Sequence, residues 1–262
     1  MTKTVRLVFI LLIFVSCSKV PITGRKQLNL LPESQLIGMS NTQYTQFLST
    51  NKKVENTKPD AAMVQRVGSK IAKAVEEFLK KDGSSKRVAG FNWEFNLVED
   101  NTVNAWCMPG GKVVVYTGIM SVTKDEAGLA VVMGHEIAHA IARHGNERMS
   151  QQLAMQAGGI SLSVLTSDQP ELARGLFSQA YGLGSNLGIL AYSRNHESEA
   201  DKLGLVFMAM AGYDPREAPK FRERMSALGG QKPPEMLSTH PSGETRISEL
   251  NDFMIEALKY YN

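Results

Sequence analysis

Three side chains in one pentapeptide, His135-Glu136-Ile137-Ala138-His139, define the chemistry that this chain could perform. They sit inside the apolar run from Ala127 to Ala142, which has no proline and no turn cluster and so predicts a buried helix. Residues four apart share a helix face, so His135 and His139 can offer two imidazoles to one metal ion. Glu136 follows the first ligand directly and is placed to reach a water activated by the metal rather than the metal itself. Such residues can meet by chance in a core. Each is costly to bury without a partner, however, and a metal is the one partner that satisfies both histidines together. Catalytic zinc then requires a third protein ligand and keeps a fourth position for water or substrate.

A second stretch, Ser193-Arg194-Asn195-His196-Glu197-Ser198-Glu199-Ala200-Asp201, reads as a helix that continues through Met208. Glu197 can close a site of two histidines and one glutamate. Asp201 lies one turn on and shares its face, where it can accept the outer N–H of a ligand histidine and hold the ring. Glu199 points elsewhere and is expected in solvent. His196 lies off the Glu197–Asp201 line and is not expected to touch the metal. His144 does not fit the long metzincin pattern: that pattern wants a third histidine where Gly145 stands and a glycine where Ala142 stands. It reads instead as a helix-end residue favoured by the helix dipole.

The elements that must position these residues are mostly helical. A helix is expected from Pro32 to about Thr50, then a polar loop to Pro59. Asp60 is expected to cap an amphipathic helix to Lys80, with Met63, Val67, Ile71, Ala74, Val75 and Phe78 on its inner side. After a basic turn at 81–90 the period changes to two, at Phe91, Trp93, Phe95 and Leu97. Two further strands, Thr102 to Met108 and Lys112 to Tyr116, flank Pro109-Gly110-Gly111, and Val113 to Val115 can be buried on both faces. The metal-site helix is expected to run on through His144 to about Met149. Residues 150–190 suggest two helices broken near Pro170, either as ordinary packing or as a mobile cover over the cleft. The fold class is therefore α+β, mainly helical: a zincin-like metalloprotease domain with a small sheet next to the His135–His139 helix.

With 262 residues, 43% of them hydrophobic, and a net charge of +3, the chain can form one large domain or two small ones, and nothing suggests a nucleic-acid partner. Lys3 and Arg6 precede an apolar stretch, Leu7 to Val15, that is too short to span a bilayer. With Phe14-Val15-Ser16-Cys17 it resembles a bacterial lipoprotein signal, although Phe14 stands where leucine is usual. That implies a signal peptide over 1–16, lipidation of Cys17, and an anchored extended arm over 17–32. Residues 33–262 then form a single zinc metallopeptidase domain. Cys107, the other cysteine, is left without an intramolecular partner. Ser18 after the cysteine favours the periplasmic face of the outer membrane.

His-Glu-Ile-Ala-His, followed by Ser193-Arg194 and Glu197-x-Glu199-Ala200-Asp201, resembles the metallopeptidase family that includes HtpX, the CAAX prenyl endopeptidases and the Oma-type proteases. The resemblance extends through Val20-Pro-Ile-Thr-Gly-Arg-Lys-Gln27, Asn104-Ala105-Trp106, Pro109-Gly-Gly-Lys-Val113 and Ser238-Thr-His-Pro-Ser-Gly-Glu-Thr-Arg-Ile247. It is strongest toward the periplasmic lipoprotein branch, without that branch's helical-repeat domain. It implies one zinc ion held by His135, His139 and Glu197, Glu136 as general base, and Asp201 behind the ligands. It also implies that His240 can take the fourth zinc position and silence the enzyme. From chemistry alone His240 could instead donate to an oxyanion, or be a loop histidine before a helix capped by Ser242. The sequence does not decide among these. Substrate is expected to lie extended along Asn104, Ala105 and Trp106, although a strand tryptophan commonly serves the core. The expected activity is hydrolysis of unfolded or misassembled envelope proteins, with envelope assembly machinery as a possible partner. The competing readings are a non-catalytic chaperone or adaptor that keeps the fold, and a zinc enzyme that cuts a different bond.

Overall fold

The computed structural model describes residues 17–156, 170–181, 193–228, 236, 240 and 244–261. The expected signal peptide, the side chain of Cys17, much of the expected cover over 150–190 (157–169 and 182–190) and Ser242 lie outside them.

The expected extended arm is folded on itself. β1 (Cys17–Lys19) pairs antiparallel with β2 (Lys26–Leu28), placing Cys17 opposite Leu28 and Lys19 opposite Lys26. The turn is closed by Val20 N donating to Arg25 O at 2.9 Å. Its burial explains the departure from an open arm. Val20 joins the core, and Gln27 Nε2 donates to Ala142 O at 2.7 Å. Arg87 sits beneath the hairpin, with Nη1 donating to Ile141 O at 2.7 Å and Nη2 to Lys19 O. The hairpin is thus fastened to the end of the metal-site helix.

α1 (Glu33–Thr50) and α2 (Pro59–Lys81) follow. The second helix starts one residue before the expected Asp60 cap, because the fixed φ of Pro59 suits the first helical position and its missing N–H costs nothing there. Val64, Val67, Ile71, Val75 and Phe78 turn inward at helical spacing. A 3-10 turn (Ser85–Val88) leads to β3 (Glu94–Val98), β4 (Ala105–Met108) and β5 (Lys112–Tyr116). The order is β3–β5–β4, with β3 parallel and β4 antiparallel to β5. Val113, Val114 and Val115 are fully buried, as a central strand covered on both sides requires. Phe95, Leu97, Val113 and Val115 face the main core. Val98, Trp106, Met108 and Val114 face a second cluster with Leu36 and Tyr44.

α3 (Thr117–Thr123) leads into α4 (Glu126–Ala142), whose first turn is capped by Asp125 Oδ1 accepting from Gly128 N at 2.9 Å. From Gly128 to Ala142 α4 is buried without a break, and apart from His135, Glu136 and His139 that stretch is apolar. Burying a side chain such as Leu129, Met133 or Ile137 contributes at most roughly 1.5–3 kcal/mol each. The helix does not run on to Met149 as expected. Arg143 adopts a left-handed conformation (φ 59°), and a new helix, α5 (His144–Gln156), begins there. After α6 (Pro170–Tyr181) come α7 (Arg194–Met210), α8 (Glu217–Ala227) and α9 (Glu244–Leu258). No helix among the described residues is long and apolar enough to cross a membrane.

α7 crosses α4 where Gly134 meets Gly204. A Cβ on Gly204 would stand 3.1 Å from the Gly134 carbonyl carbon and from His135 N. Only hydrogen at both positions lets the two backbones come this close. The crossing brings the histidines of α4 to the carboxylates of α7.

Candidate metal centre

His135 and His139 project from α4 side by side, with their Nε2 atoms 3.0 Å apart. Glu197, from the first turn of α7, meets both: Oε2 lies 3.4 Å from His135 Nε2, and Oε1 lies 3.3 Å from His139 Nε2. His240 Nδ1 completes the group, 3.3 Å from His135 Nε2 and 2.9 Å from Glu197 Oε1. All four residues are buried, and their donor atoms lie within 4.8 Å of one another. Three imidazole nitrogens and a carboxylate oxygen form a donor set suited to a divalent transition metal. Glu136 is also buried, and its Oε1 has no hydrogen-bond partner among the described residues. That atom lies 3.6 Å from His240 Nε2. Burial pushes the Glu136 carboxyl up from its ordinary range and Glu197 adds to this, against His240 and His135. The Glu197 carboxyl is held well below its ordinary range: burial opposes this, but His240, His135 and His139 outweigh it.

Behind His135 stands Asp201, where helix phase predicted it. His135 Nδ1 donates to Asp201 Oδ1 at 2.9 Å, which leaves Nε2 free to face the cluster. Two arginines that the sequence did not mark then hold the carboxylate. Arg222 of α8 donates from Nη2 to Asp201 Oδ1 at 2.7 Å. Arg246 of α9 reaches Asp201 Oδ2 with Nε, also at 2.7 Å, and pairs with Glu197 Oε2 through Nη1 at 2.6 Å. Burial would raise the Asp201 carboxyl, but Arg222 and Arg246 hold it well below its ordinary range.

Behind His139 two expectations are corrected. His144 is not a helix-end residue held by the dipole, and Glu199 is not in solvent. Had α4 continued, His144 would point about 140° away from His139 around the helix axis. The break at Arg143 turns it back, and His144 Nδ1 lies 2.9 Å from His139 Nδ1. On its other side His144 Nε2 lies 2.9 Å from Glu199 Oε2. The carboxylate can only accept, so His144 Nε2 is the donor. Burial lowers the His144 pKa to about 4, against the raising effect of Glu199, so its Nδ1 accepts from His139 Nδ1–H. Glu199 in turn accepts from Arg25 Nε at 2.9 Å and from Thr23 Oγ1, both on the N-terminal hairpin. Burial would raise the Glu199 carboxyl, but the bonds from His144, Arg25 and Thr23 hold it at about 2. His196 stays off the cluster: its ring stacks on His144, and its Nε2 lies 3.1 Å from Glu147 Oε2.

The expected substrate segment divides between backbone and core. β4 pairs with β5 on one side and with no strand among the described residues on the other. The side chains of Ala105 and Trp106 are buried, the tryptophan edge-on to Phe47 at 5.1 Å between ring centres. Asn104 Oδ1 accepts from Ala105 N at 2.9 Å. The three side chains serve the fold, and the Asn104 carbonyl accepts from Tyr116 N at 3.1 Å.

The small sheet beside a helix carrying His-Glu-x-x-His, completed by a glutamate on a second helix, defines a zincin-like metallopeptidase. Residues 63–254 match peptidase family M48, and the chain belongs to that family. It is 32% identical over 93% of its length to the mitochondrial metalloendopeptidase OMA1 of Schizosaccharomyces pombe, of which it covers 68%. It is 37% identical over 73% of its length to the OMA1 protein of Arabidopsis thaliana, of which it covers 38%. It is also 29% identical over 60% of its length to the β-barrel assembly-enhancing protease of Escherichia coli, covering 33% of that protein. The chain thus spans between a third and two thirds of these relatives' lengths. The expected outer-membrane location is overturned by this comparison: the relatives matched over most of the chain are mitochondrial by name, whereas the assembly-enhancing protease matches over a shorter stretch.

Proposed function

We propose that the chain is a zinc-dependent metalloendopeptidase acting on unfolded or misassembled proteins. One observation carries this reading: four donor atoms converge beside a buried Glu136 oxygen that has no hydrogen-bond partner among the described residues. Zinc takes tetrahedral ligands at about 2.0–2.1 Å, which sets neighbouring ligand atoms about 3.3–3.4 Å apart. Contacts of 2.9 to 3.4 Å within a donor set no wider than 4.8 Å suit that ion. His135, His139 and Glu197 would hold it. When bound, zinc supplies a Lewis acid that makes water acidic near neutral pH and polarises a carbonyl.

Glu136 takes the proton from the attacking water and passes it to the leaving amine, a task suited to a carboxyl whose affinity for protons burial has raised. The peptide lies extended along the free edge of β4 at Asn104, Ala105 and Trp106, held by main-chain bonds that read few side chains. That mode suits unfolded substrates. His240 lies 3.3 Å from His135 Nε2 and 3.6 Å from Glu136 Oε1, where it would take the place of the attacking water, so we read this arrangement as a closed form that opens when His240 withdraws.

The test is casein cleavage by the full chain with its zinc content measured, for the native protein, Glu136→Gln and His240→Ala. Native cleavage is expected, as is its loss in Glu136→Gln with zinc retained. His240→Ala should cleave faster. Slower cleavage by that variant would make His240 a donor to the reacting oxygen instead. Zinc binding without cleavage by any variant would favour a chaperone that keeps the fold.

A further inference from the structure

Arg25, on the turn of the N-terminal hairpin, touches no residue of the metal cluster, yet three hydrogen bonds join it to one. Its guanidinium donates from Nε to Glu199 at 2.9 Å, and from Nη1 and Nη2 to the two oxygens of Glu147 at 2.8 and 2.7 Å. Glu199 accepts from His144, and His144 accepts from His139. The planar fork holds two carboxylates in fixed directions at once, which a flexible ammonium would not do. Without it, two largely buried negative groups would face each other, and Glu199 would turn away from His144.

We propose that Arg25 is a positioning residue of the metal centre: through Glu199 and His144 it fixes the ring of His139, so the hairpin sets metal affinity. This rests on the metal-site reading above. His139 needs its proton on Nδ1 to leave Nε2 for the metal, and the acceptor at Nδ1 is an imidazole whose own orientation depends on Glu199. Asp201 does this for His135 from the same helix as the third ligand. For His139 the last support comes from 114 residues earlier in the chain (139 − 25).

The test is zinc affinity of the full chain by competition with a chelator, together with the visible spectrum of the cobalt-loaded protein. Arg25→Gln should weaken zinc binding about 10-fold, the low end for a group one bond behind a ligand's partner, and should shift the cobalt bands. Arg25→Lys should recover part of the loss. In a His144→Gln background the Arg25 effect should vanish, because the connection is already cut. A hairpin that merely stabilises the fold would lower the melting temperature while leaving zinc affinity and cobalt bands unchanged, and that result overturns the inference. So does full additivity with His144→Gln. Should Arg25→Gln fail to fold, Glu199→Gln, equal in size, puts the same question with the same two readouts. If the native chain binds no zinc, the metal-site reading itself fails and takes this inference with it.

Discussion

The two histidines of the metal-site helix are held from behind in opposite ways. His135 rests on one carboxylate, Asp201, one turn along from the ligand Glu197 on the same helix. That side sets two carboxylates against two arginines, Arg222 and Arg246. His139 rests on another histidine, then on Glu199, then on a hairpin from the start of the chain. Here two carboxylates, Glu147 and Glu199, share one arginine. The first support is complete once α7 docks and its neighbours close. The second exists only when the hairpin also folds back, so the pair of ligands is assembled from the two ends of the molecule.

Removing the carboxylate on the His135 side should cost most. Asp201→Ala leaves Arg222 and Arg246 buried without their main counter-charge and should destabilise the metal-free protein by about 3–5 kcal/mol in denaturant unfolding. A loss no greater than that of Arg25→Gln would remove the contrast. Next comes the helix crossing. Gly204→Ala puts a methyl 3.1 Å from the backbone of Gly134 and His135, which would have to shift by a few tenths of an ångström, and should cost about 1–3 kcal/mol. It should weaken zinc binding through the His135 side, so its effect should add to that of Arg25→Gln.

The smallest effect lies at the rim of the hairpin and depends on pH. Burial would raise the Glu147 carboxyl, but its bonds from Arg25 and His196 hold it well below its ordinary range. A carboxyl lowered in this way stabilises the native state above its unfolded pKa of about 4.3, and that contribution fades as pH falls toward the folded value. Glu147→Gln should therefore be about 1 kcal/mol less stable than the native chain at pH 7. The gap should narrow steadily below about pH 4 in paired unfolding curves. A gap as wide at pH 3 as at pH 7 would show that the carboxylate's charge is not what holds the hairpin.

Much of the ligand set was legible because it is local. His135 with His139, and Glu197 with Asp201, are spaced by one helical turn, a relation that any helical reading exposes. The buried strand Val113 to Val115 was legible for a similar reason. What sequence reasoning missed depends on closure over long distances. Glu199 follows Glu197 by two residues and does face away from the metal, but that face is covered by the hairpin rather than by water. Arg222 and Arg246 lie on helices whose patterns say nothing of a partner 21 or 45 residues away. Arg246 stood within a stretch already noticed for its family resemblance, and that place was its only signal. The break at Arg143 was hidden because an arginine rather than a glycine occupies the left-handed position, and without the break His144 cannot be assigned its partner. Pro21 and Gly24 suit the turn of the hairpin, yet the segment reads as an extended arm, because nothing local says what it will fold back to touch.

The contact of Gly134 with Gly204 carries a consequence for how the centre can move. Where Gly134 meets Gly204 no side chain stands between the two helices, so at that point their separation is set by peptide geometry rather than by packing. His240 takes no part in that contact, so a change at His240 leaves the spacing of the two helices as it is.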